Sequence, residues 1–544
     1  MEESDISRSL SNLEPNGEPK AKTAVTVEVT ESAANGTSEP PLTFDIEHMP
    51  VSNDPRKWSN FHKNFILVQV ALGSVFAGLG ANIQAAAIAE MEADLPATPA
   101  QISWTMSLFM LLQGVFPLMW VSLSEIYGRK LIYIISMIIF TAGSIVVATS
   151  KNVGLVIGFR CLQAAGSSAV LSIGAATLAD IFEPAERGRK MGMYYVAPLL
   201  GASLAPLIGG GLTSAFTWRG PFYFLTILGG SVFLSFLLLF RDTYRKERSL
   251  TYQNVLKQKL RDVNRKKMLE REKTEHDSDV TGASLPPEEP TKDIEKQAIT
   301  ADDVSKIVPE IKLGLRDINP FKPLLLTLRR PYNMVMLLIS GLNFSFEFMV
   351  VYTSSRTLGT FYHYSPVKIG LTLLSFGIGT VSGSVIGGRW ADHQLARMKA
   401  KHGNQTTPEM RLRSTLHSLV LLPLFVAGYA WVFEERLHVA VVCVMLFFCG
   451  FFAYVVYACT LTYIVDSNIG RSGSAVALNS FFRCSLAFAF EELAVPMQDG
   501  IGDGWTYTII AFMLAGTGAL VVLVLFNGAR WRMEADEREK AALA

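Results

Sequence analysis

Cysteine is scarce in this chain, at five thiols: Cys161, Cys443, Cys449, Cys459 and Cys484. All five fall inside apolar runs, and none has metal-site spacing with a histidine. The pattern predicts buried thiols rather than disulfides or a metal centre. Net charge is nearly absent as well. A formal +1 over 544 residues gives no global bias towards nucleic acid or an acidic partner. No nucleophile–base pair, phosphate-binding loop or metal cluster is legible, so no catalytic residue, cofactor or metal is expected. Gly128-Arg129-Lys130 lacks the strand and spacing of a phosphate loop, which argues against ATP as the energy source.

Charge is missing above all from long stretches of the chain. Residues 99–124 carry none, and neither do 131–150. Each stretch is long enough to cross a bilayer, which takes about 20 apolar residues. Half of the residues are hydrophobic, and the charges are confined to loops. A soluble protein would spread them along amphipathic helices. What is present between the two bare stretches is a charged turn, Leu123-Ser124-Glu125-Ile126-Tyr127-Gly128-Arg129-Lys130. Short cytoplasmic loops collect Lys and Arg, so this turn marks the cytoplasmic side of a helical hairpin.

The length criterion predicts an all-α polytopic membrane protein with twelve transmembrane helices. The segments are 62–89, 100–123, 131–150, 154–179, 191–214, 221–240, 332–356, 367–388, 414–433, 438–465, 473–496 and 505–527. Even parity puts both termini on one side. The turns 124–130, 183–190, 389–413 and 466–472 hold Arg129, Lys130, Arg187, Arg189, Lys190, Arg389, Arg411 and Arg471. The opposite turns carry Glu90, Glu92 and Asp94, or Asp499 and Asp503. Both termini are therefore expected in the cytoplasm. The sequons at Asn35 and Asn404 fall on that side and Asn343 falls inside a span, so none should carry sugar.

Five regions follow: a disordered tail at 1–60, a six-helix bundle at 61–240, a cytoplasmic linker at 241–330, a second bundle at 331–527 and a C-terminal tail at 528–544. The first region is rich in Glu, Ser, Asn and Pro, which reads as a tail rather than a signal peptide. The linker reads as a solvated tether, helical near 252–273, with a regulatory element as the alternative. The halves echo each other. Gly387-Gly388-Arg389-Trp390-Ala391-Asp392 repeats the first charged turn. Asp180 followed by Glu186-Arg187-Gly188-Arg189 matches Asp466 followed by Arg471-Ser472-Gly473. Matching turns six helices apart are what a duplicated six-helix unit requires, with a substrate cavity between the halves at mid-membrane.

These residues resemble the major facilitator superfamily, and within it the fungal twelve-span drug:proton antiporter family. Leu123, Gly128, Arg129 and Lys130 match the loop motif Gly-x-Leu-x-Asp-x-x-Gly-Arg-Lys. Val121 replaces its first Gly and Glu125 its Asp. Arg160-Cys161-Leu162-Gln163-Ala164-Ala165-Gly166 is similar to a fourth-helix motif whose arginine is linked to proton coupling. Gly201-Ala202-Ser203-Leu204-Ala205-Pro206-Leu207-Ile208-Gly209-Gly210 resembles the antiporter motif, with Ala205 in place of a Gly. Trp218-Arg219-Gly220-Pro221-Phe222, Asn479-Ser480-Phe481-Phe482-Arg483-Cys484 and Gly504-Trp505-Thr506 resemble further family segments.

The resemblance implies a cytoplasmic gate of Glu125, Gly128, Arg129, Lys130, Asp180, Arg187 and Asp392. It implies an antiporter motif carried by Gly201, Pro206, Gly209 and Gly210, sealing the fifth helix against the eighth. Gly377, Gly379, Gly383, Gly387 and Gly388 offer the matching small-residue face. Ionisable groups inside a membrane are costly and by default functional. Arg160, Glu347, Arg483 and Glu491 are accordingly the proton-coupling candidates. Arg356 and Glu492 lie nearer an interface, where snorkelling relieves the cost. Glu491 departs from the small residue of the family, and either tunes selectivity or pairs with Arg483. Gln84, Gln113, Gln163, Asn343, Tyr454, Tyr457 and Asn479, with Asn82, are candidate cavity liners; interhelical hydrogen bonding is the alternative for each.

The expected activity is proton-coupled export of a small organic molecule by alternating access. Drugs, xenobiotics, organic acids, polyamines and secondary metabolites all stay open, and the arginines lean towards anionic character. Proton symport and a membrane sensor without transport are the alternatives. The expected partners are protons, substrate and the lipid bilayer, with no nucleic acid, and the expected state is a monomer. The plasma membrane is the expected location, with the vacuolar membrane as the alternative.

Overall fold

A computed structural model describes residues 53–245, some positions between 252 and 265, and residues 321–401, 407–468 and 472–543. The chain divides into two compact units. One comprises 1–52 with 252–311 and lies almost wholly outside the described residues. The other comprises 53–251 and 312–544 and holds every helix discussed below. The expectations for the N-terminal tail, for most of the linker, and for Asn35, Asn404 and Arg471 fall outside the described residues.

Among the described residues the structure is helical and without strands, with twelve long helices in two halves. In the first half these are α1 Asn60–Asn82, α2 Pro99–Tyr127, α3 Arg129–Thr149, α4 Val153–Ile181, α5 Pro184–Phe216 and α6 Gly220–Leu238. The second half has α7 Pro331–Thr360, α8 Pro366–Lys401, α9 Leu416–Glu434 and α10 Val439–Ser467. Its last helix runs over Ser472–Leu543 and breaks at Gly502, where φ is +76°. That break separates α11 (472–501) from α12 (503–543).

Local chemistry sets the starts. Thr98 and Gln101 form a reciprocal capping box ahead of α2, and Asn152 caps α4 by accepting from the Gly154 amide at 2.8 Å. Proline occupies the first turn of α2, α5, α7 and α8, where its missing N–H costs nothing. Gly128 alone joins α2 to α3. Its φ of +86° and the Asp242 carboxylate against its Cα leave no room for a side chain.

Several boundaries differ from the sequence expectation. The first apolar stretch, expected as one span over 62–89, ends its helix at Asn82 and continues as a 3-10 turn, Ala85–Ala87, and a short helix, Ile88–Asp94. Glu186-Arg187-Gly188-Arg189 is not a turn but the first turns of α5. Gly387 to Asp392 likewise lies inside α8, which runs on to Lys401. The eleventh and twelfth segments are not separated by a loop, because a single left-handed glycine supplies the bend. Helix also continues through 528–543, where Arg330 binds Glu539 through Nε (3.2 Å) and Nη2 (3.0 Å) and reaches Asp536 at 3.0 Å. All five cysteines are free thiols. Cys449, Cys459 and Cys484 are buried, but Cys161 and Cys443 are only half-buried.

The halves meet most closely where α5 crosses α8. A Cβ on Gly370 would strike the Pro206 carbonyl, and one on Gly210 the Pro366 carbonyl. Ser203 Oγ donates to the Gly377 carbonyl at 3.1 Å. Only some of the small residues on these two helices lie at the crossing. Gly201 and Gly209 pack against α1, at Val75 and Ile83, within their own half. Gly379, Gly383 and Gly387 pack against α10, at Phe447, Phe451 and Val455, and Gly388 faces open space. Small residues on three sides of one helix serve three neighbours, and spacing alone does not say which.

The bundle has a Gly128 end and a Trp218 end. Hydrogen bonds between the halves lie at mid-helix or towards the Trp218 end: Ser203 to Gly377 and Thr380, Ser355 to Ala85, Tyr352 to Pro99, Ser103 to Glu491 and Glu492, and Ser107 to Glu492. Gly188, Gly192 and Gly388, towards the other end, have nothing near them. The hydrogen bonds that join the halves are thus concentrated between mid-helix and the Trp218 end.

Gly370→Val should cost about 1–3 kcal/mol by forcing backbone apart at the α5–α8 crossing. Gly211→Val, one position past the crossing glycine and facing open space, should stay within about 0.5 kcal/mol. Thermal unfolding of the detergent-solubilised variants checks both.

Candidate functional site

At the Gly128 end, Arg129 is buried and engaged on all sides. Its Nε donates to Asp180 at 3.2 Å, and its Nη1 donates to Ser124 Oγ. Its backbone N–H donates to Asp242 at 3.1 Å, and the Tyr244 ring covers the guanidinium at 5.0 Å. Glu125 adds a second negative charge nearby. Thr243 Oγ1 donates to Asp180 at 3.4 Å. Arg187 donates to the Ala179 carbonyl at 3.3 Å, closing the end of α4. Lys130 is half-buried and makes no hydrogen bond among the described residues. The second half repeats the pair. Arg411 reaches Asp466 at 2.9 Å and the exposed Asp392 at 3.6 Å.

Two parts of this cluster escaped the sequence reading. Arg411 counted there only as a topology charge, because 389–413 read as one loop. The strap Asp242-Thr243-Tyr244 was assigned to the linker. An aspartate placed directly after an apolar span is the one signal that would have flagged it.

At the Trp218 end, Asp94 accepts from Trp218 Nε1 and Arg219 Nη1, both at 2.7 Å, and Glu90 accepts from the Trp218 amide at 3.1 Å. In the second half, Arg356 pairs with Asp499 at 2.7 Å. Asp503 accepts from Thr357 (2.7 Å) and Gln498 (2.8 Å). Arg356 is thus ion-paired at the Trp218 end.

The interior ionisable groups fall into two sets. Glu347 of α7 is 6% exposed, and Arg483 of α11 is the charge that acts on it. No salt bridge joins them among the described residues. The Arg483 guanidinium lies over Phe344 (4.1 Å) and Tyr457 (4.9 Å), and its Nε has no hydrogen-bond partner. Its faces are covered by rings while the side chain stays partly exposed. Arg160 of α4 is fully buried. It donates to the carbonyls of Thr105 (3.2 Å) and Gly80 (2.8 Å) and to Gln163 Oε1 (3.1 Å), and stacks on Phe109 at 4.2 Å. Glu491 does not pair with Arg483. A separation of eight residues sets it two turns away along α11, where Arg160 is the cation that acts on it.

The polar candidates divide likewise. Gln84 and Gln163 are fully buried; Gln84 donates to Thr105 at 2.6 Å and Gln163 to Ser144 at 2.8 Å. Asn82 is buried with its carbonyl unpartnered. Asn343 donates to the Ala453 carbonyl of α10 at 2.9 Å. Asn343 and Asn479 each keep a buried side-chain carbonyl without a partner. Tyr454 and Tyr457 meet edge to face at 5.5 Å. Gln113 is half-buried, 3.5 Å from Ser167. One constellation therefore gathers Asn343 and Glu347 of α7, Tyr454 and Tyr457 of α10, and Asn479 and Arg483 of α11. Gln84 and Gln163 belong to the Arg160 network instead.

The two charge pairs differ in burial, and double-mutant cycles should show it. Arg129–Asp180 should couple by about 1–3 kcal/mol, and Arg411–Asp392, with a largely exposed carboxylate, by no more than about 0.5 kcal/mol. Unfolding of single and double alanine variants in detergent measures both.

Comparison with known proteins places this geometry. The family model described as Major Facilitator Superfamily matches residues 70–490. The chain is 27% identical to citrate exporter 1 of Aspergillus niger, covering 87% of each protein. It is 25% identical to quinidine resistance protein 3 of Saccharomyces cerevisiae, covering 90% of this chain and 86% of that one. A solved structure of the peptide transporter POT in complex with sulfate aligns with a TM-score of 0.58 at 13% identity, covering 86% of this chain and 95% of that one. At that identity the likeness concerns the fold alone. With twelve apolar helices in two halves and a family match over most of its length, this chain belongs to the major facilitator superfamily of multi-pass membrane transporters.

Proposed function

We propose that this transporter exports a small organic molecule in exchange for protons, with Glu347 as the proton-binding group and Arg483 as its counter-charge. The observation that carries the reading is the Glu347–Arg483 arrangement. A buried carboxyl and a partly exposed guanidinium lie close together without a salt bridge, and both act on Tyr454. Burying an unpaired charge is costly, and taking up a proton removes the cost at a carboxyl. Glu347 then alternates between a protonated state and one in which a substrate or Arg483 compensates its charge. Alternating access follows from rocking of the halves, 61–240 against 331–527, about the α5–α8 crossing.

The basic residues at the Gly128 end support a cytoplasmic location for that end and for both termini. With its hydrogen bonds between the halves concentrated towards the Trp218 end, the conformation described above is then read as the one open to the cytoplasm. The clusters of Arg129 and Arg411 close it in the opposite state. We assign the protein to the plasma membrane, as a monomer, by its likeness to fungal exporters.

The sign of coupling follows from charge. An organic cation competes with the proton for Glu347, and competition for one site produces antiport. An organic anion on Arg483 leaves Glu347 to be neutralised by a proton, so anion and proton travel together. The exposed edge of Arg483 supports this second reading. The two relatives named above, one for quinidine resistance and one for citrate export, stand on either side of the choice.

Liposomes with an internal pH dye test both readings, with quinidine and citrate as probe gradients, for wild type and Glu347→Gln. Proton flux opposite to quinidine, lost in the variant, is the expected result. Proton flux in the same direction as citrate would replace antiport by symport. Coupled flux that survives the substitution would remove Glu347 from the proton path.

A further inference from the structure

Glu491 has no part in the scheme built on Glu347. It lies on α11, two turns nearer the Trp218 end than Arg483. Its side chain is fully buried, and neither carboxyl oxygen has a hydrogen-bond partner. The donors around it are engaged elsewhere. Ser103 of α2 donates to the Glu491 backbone carbonyl at 3.3 Å and approaches Glu492 Oε1 at 3.4 Å, while Ser107 donates to Glu492. Arg160 of α4 directs its donors to the carbonyls of Thr105, Gly80 and Ala81 and to Gln163, with one face on the Phe109 ring.

The remaining charged and titratable groups around Glu491 are few. Glu492 adjoins it on the same helix, and Tyr352 faces it from α7. Beyond Tyr352 lie Glu92 and Arg356. An apolar cluster drawn from both halves includes Phe109, Met110, Phe344, Phe348, which adjoins Glu347, and Ala487, one helical turn from Glu491.

We propose that Glu491 is a second proton-binding carboxyl, separated from Glu347 by that apolar layer and reached by water from the Trp218 end when α2 and α11 part. An ionised carboxylate here would have no donor, and the nearest cation is already committed to carbonyls, so a bound proton is what makes the burial tolerable. The side chains of that cluster carry no carboxyl, amide or hydroxyl to pass a proton along. The two carboxyls therefore exchange protons in different conformations, Glu491 with the Trp218 side and Glu347 with the Gly128 side. Its part in transport rests on the proton-coupled reading above; occupancy of the site by a proton does not.

Infrared spectroscopy of the full chain in lipid nanodiscs tests the site directly, through the carbonyl stretch of protonated carboxylic acids. Wild type should show a band from a carboxyl without hydrogen bonds that Glu491→Gln removes and Glu347→Gln leaves in place. An unchanged carbonyl region in Glu491→Gln would overturn the proposal. A band lost in both variants would mean one shared proton and would also overturn it. Should Glu491→Gln fail to fold, Glu491→Asp keeps the carboxyl and must shift the same band; a band that stays put counts against the site. Loss of coupled flux in liposomes, judged separately, bears on Glu347 and leaves this readout untouched.

Discussion

The absence of hydrogen-bond partners in hydrocarbon governs this molecule. Backbone groups are satisfied within helices, so the only way to bring two halves into firm contact is to let backbone approach backbone. The glycines at the α5–α8 crossing do this, and the serine hydroxyls at the seam turn back to main-chain carbonyls across it. The same constraint explains Arg160. A guanidinium in that setting is tolerable because the carbonyls of Gly80 and Ala81, near the end of α1, and that of Thr105 within α2 converge on it. It explains equally why unpartnered oxygens stand out. Asn343, Asn479 and Glu491 keep acceptors idle in a place where idleness is expensive.

Much of the fold was legible, because the signal for a membrane helix is length without charge, and this chain obeys it closely. Helix ends were less so. Apolarity reports where the bilayer is, not where the helix stops, so α5 and α8 run several turns past their apolar cores. Gly502 could not be told from an ordinary loop glycine, since its left-handed φ is invisible in sequence.

The candidate site was legible by residue type but not by partner. Charges inside apolar runs announced Arg160, Glu347, Arg483 and Glu491. Which of them meet depends on helix rotation, and a hydrophobic span carries almost no periodicity to fix it. The pairing of Glu491 with Arg483 looked reasonable on one helix face, yet helices approaching from the other half decide the neighbourhood. The strap over Arg129 was hidden for another reason. Asp242, Thr243 and Tyr244 are polar residues at the mouth of a polar linker, and only the fold shows that they turn back.

The crossing of α5 and α8 also has mechanical meaning. Backbone contact at Gly210 and Gly370 lies near one end of both helices, and α8 continues from there to Lys401. Each residue beyond the contact adds about 1.5 Å of lever. A tilt too small to disturb the carbonyl–glycine contact is therefore magnified into a wide excursion at the far tips. The fulcrum can stay dry and tightly packed while the mouth opens.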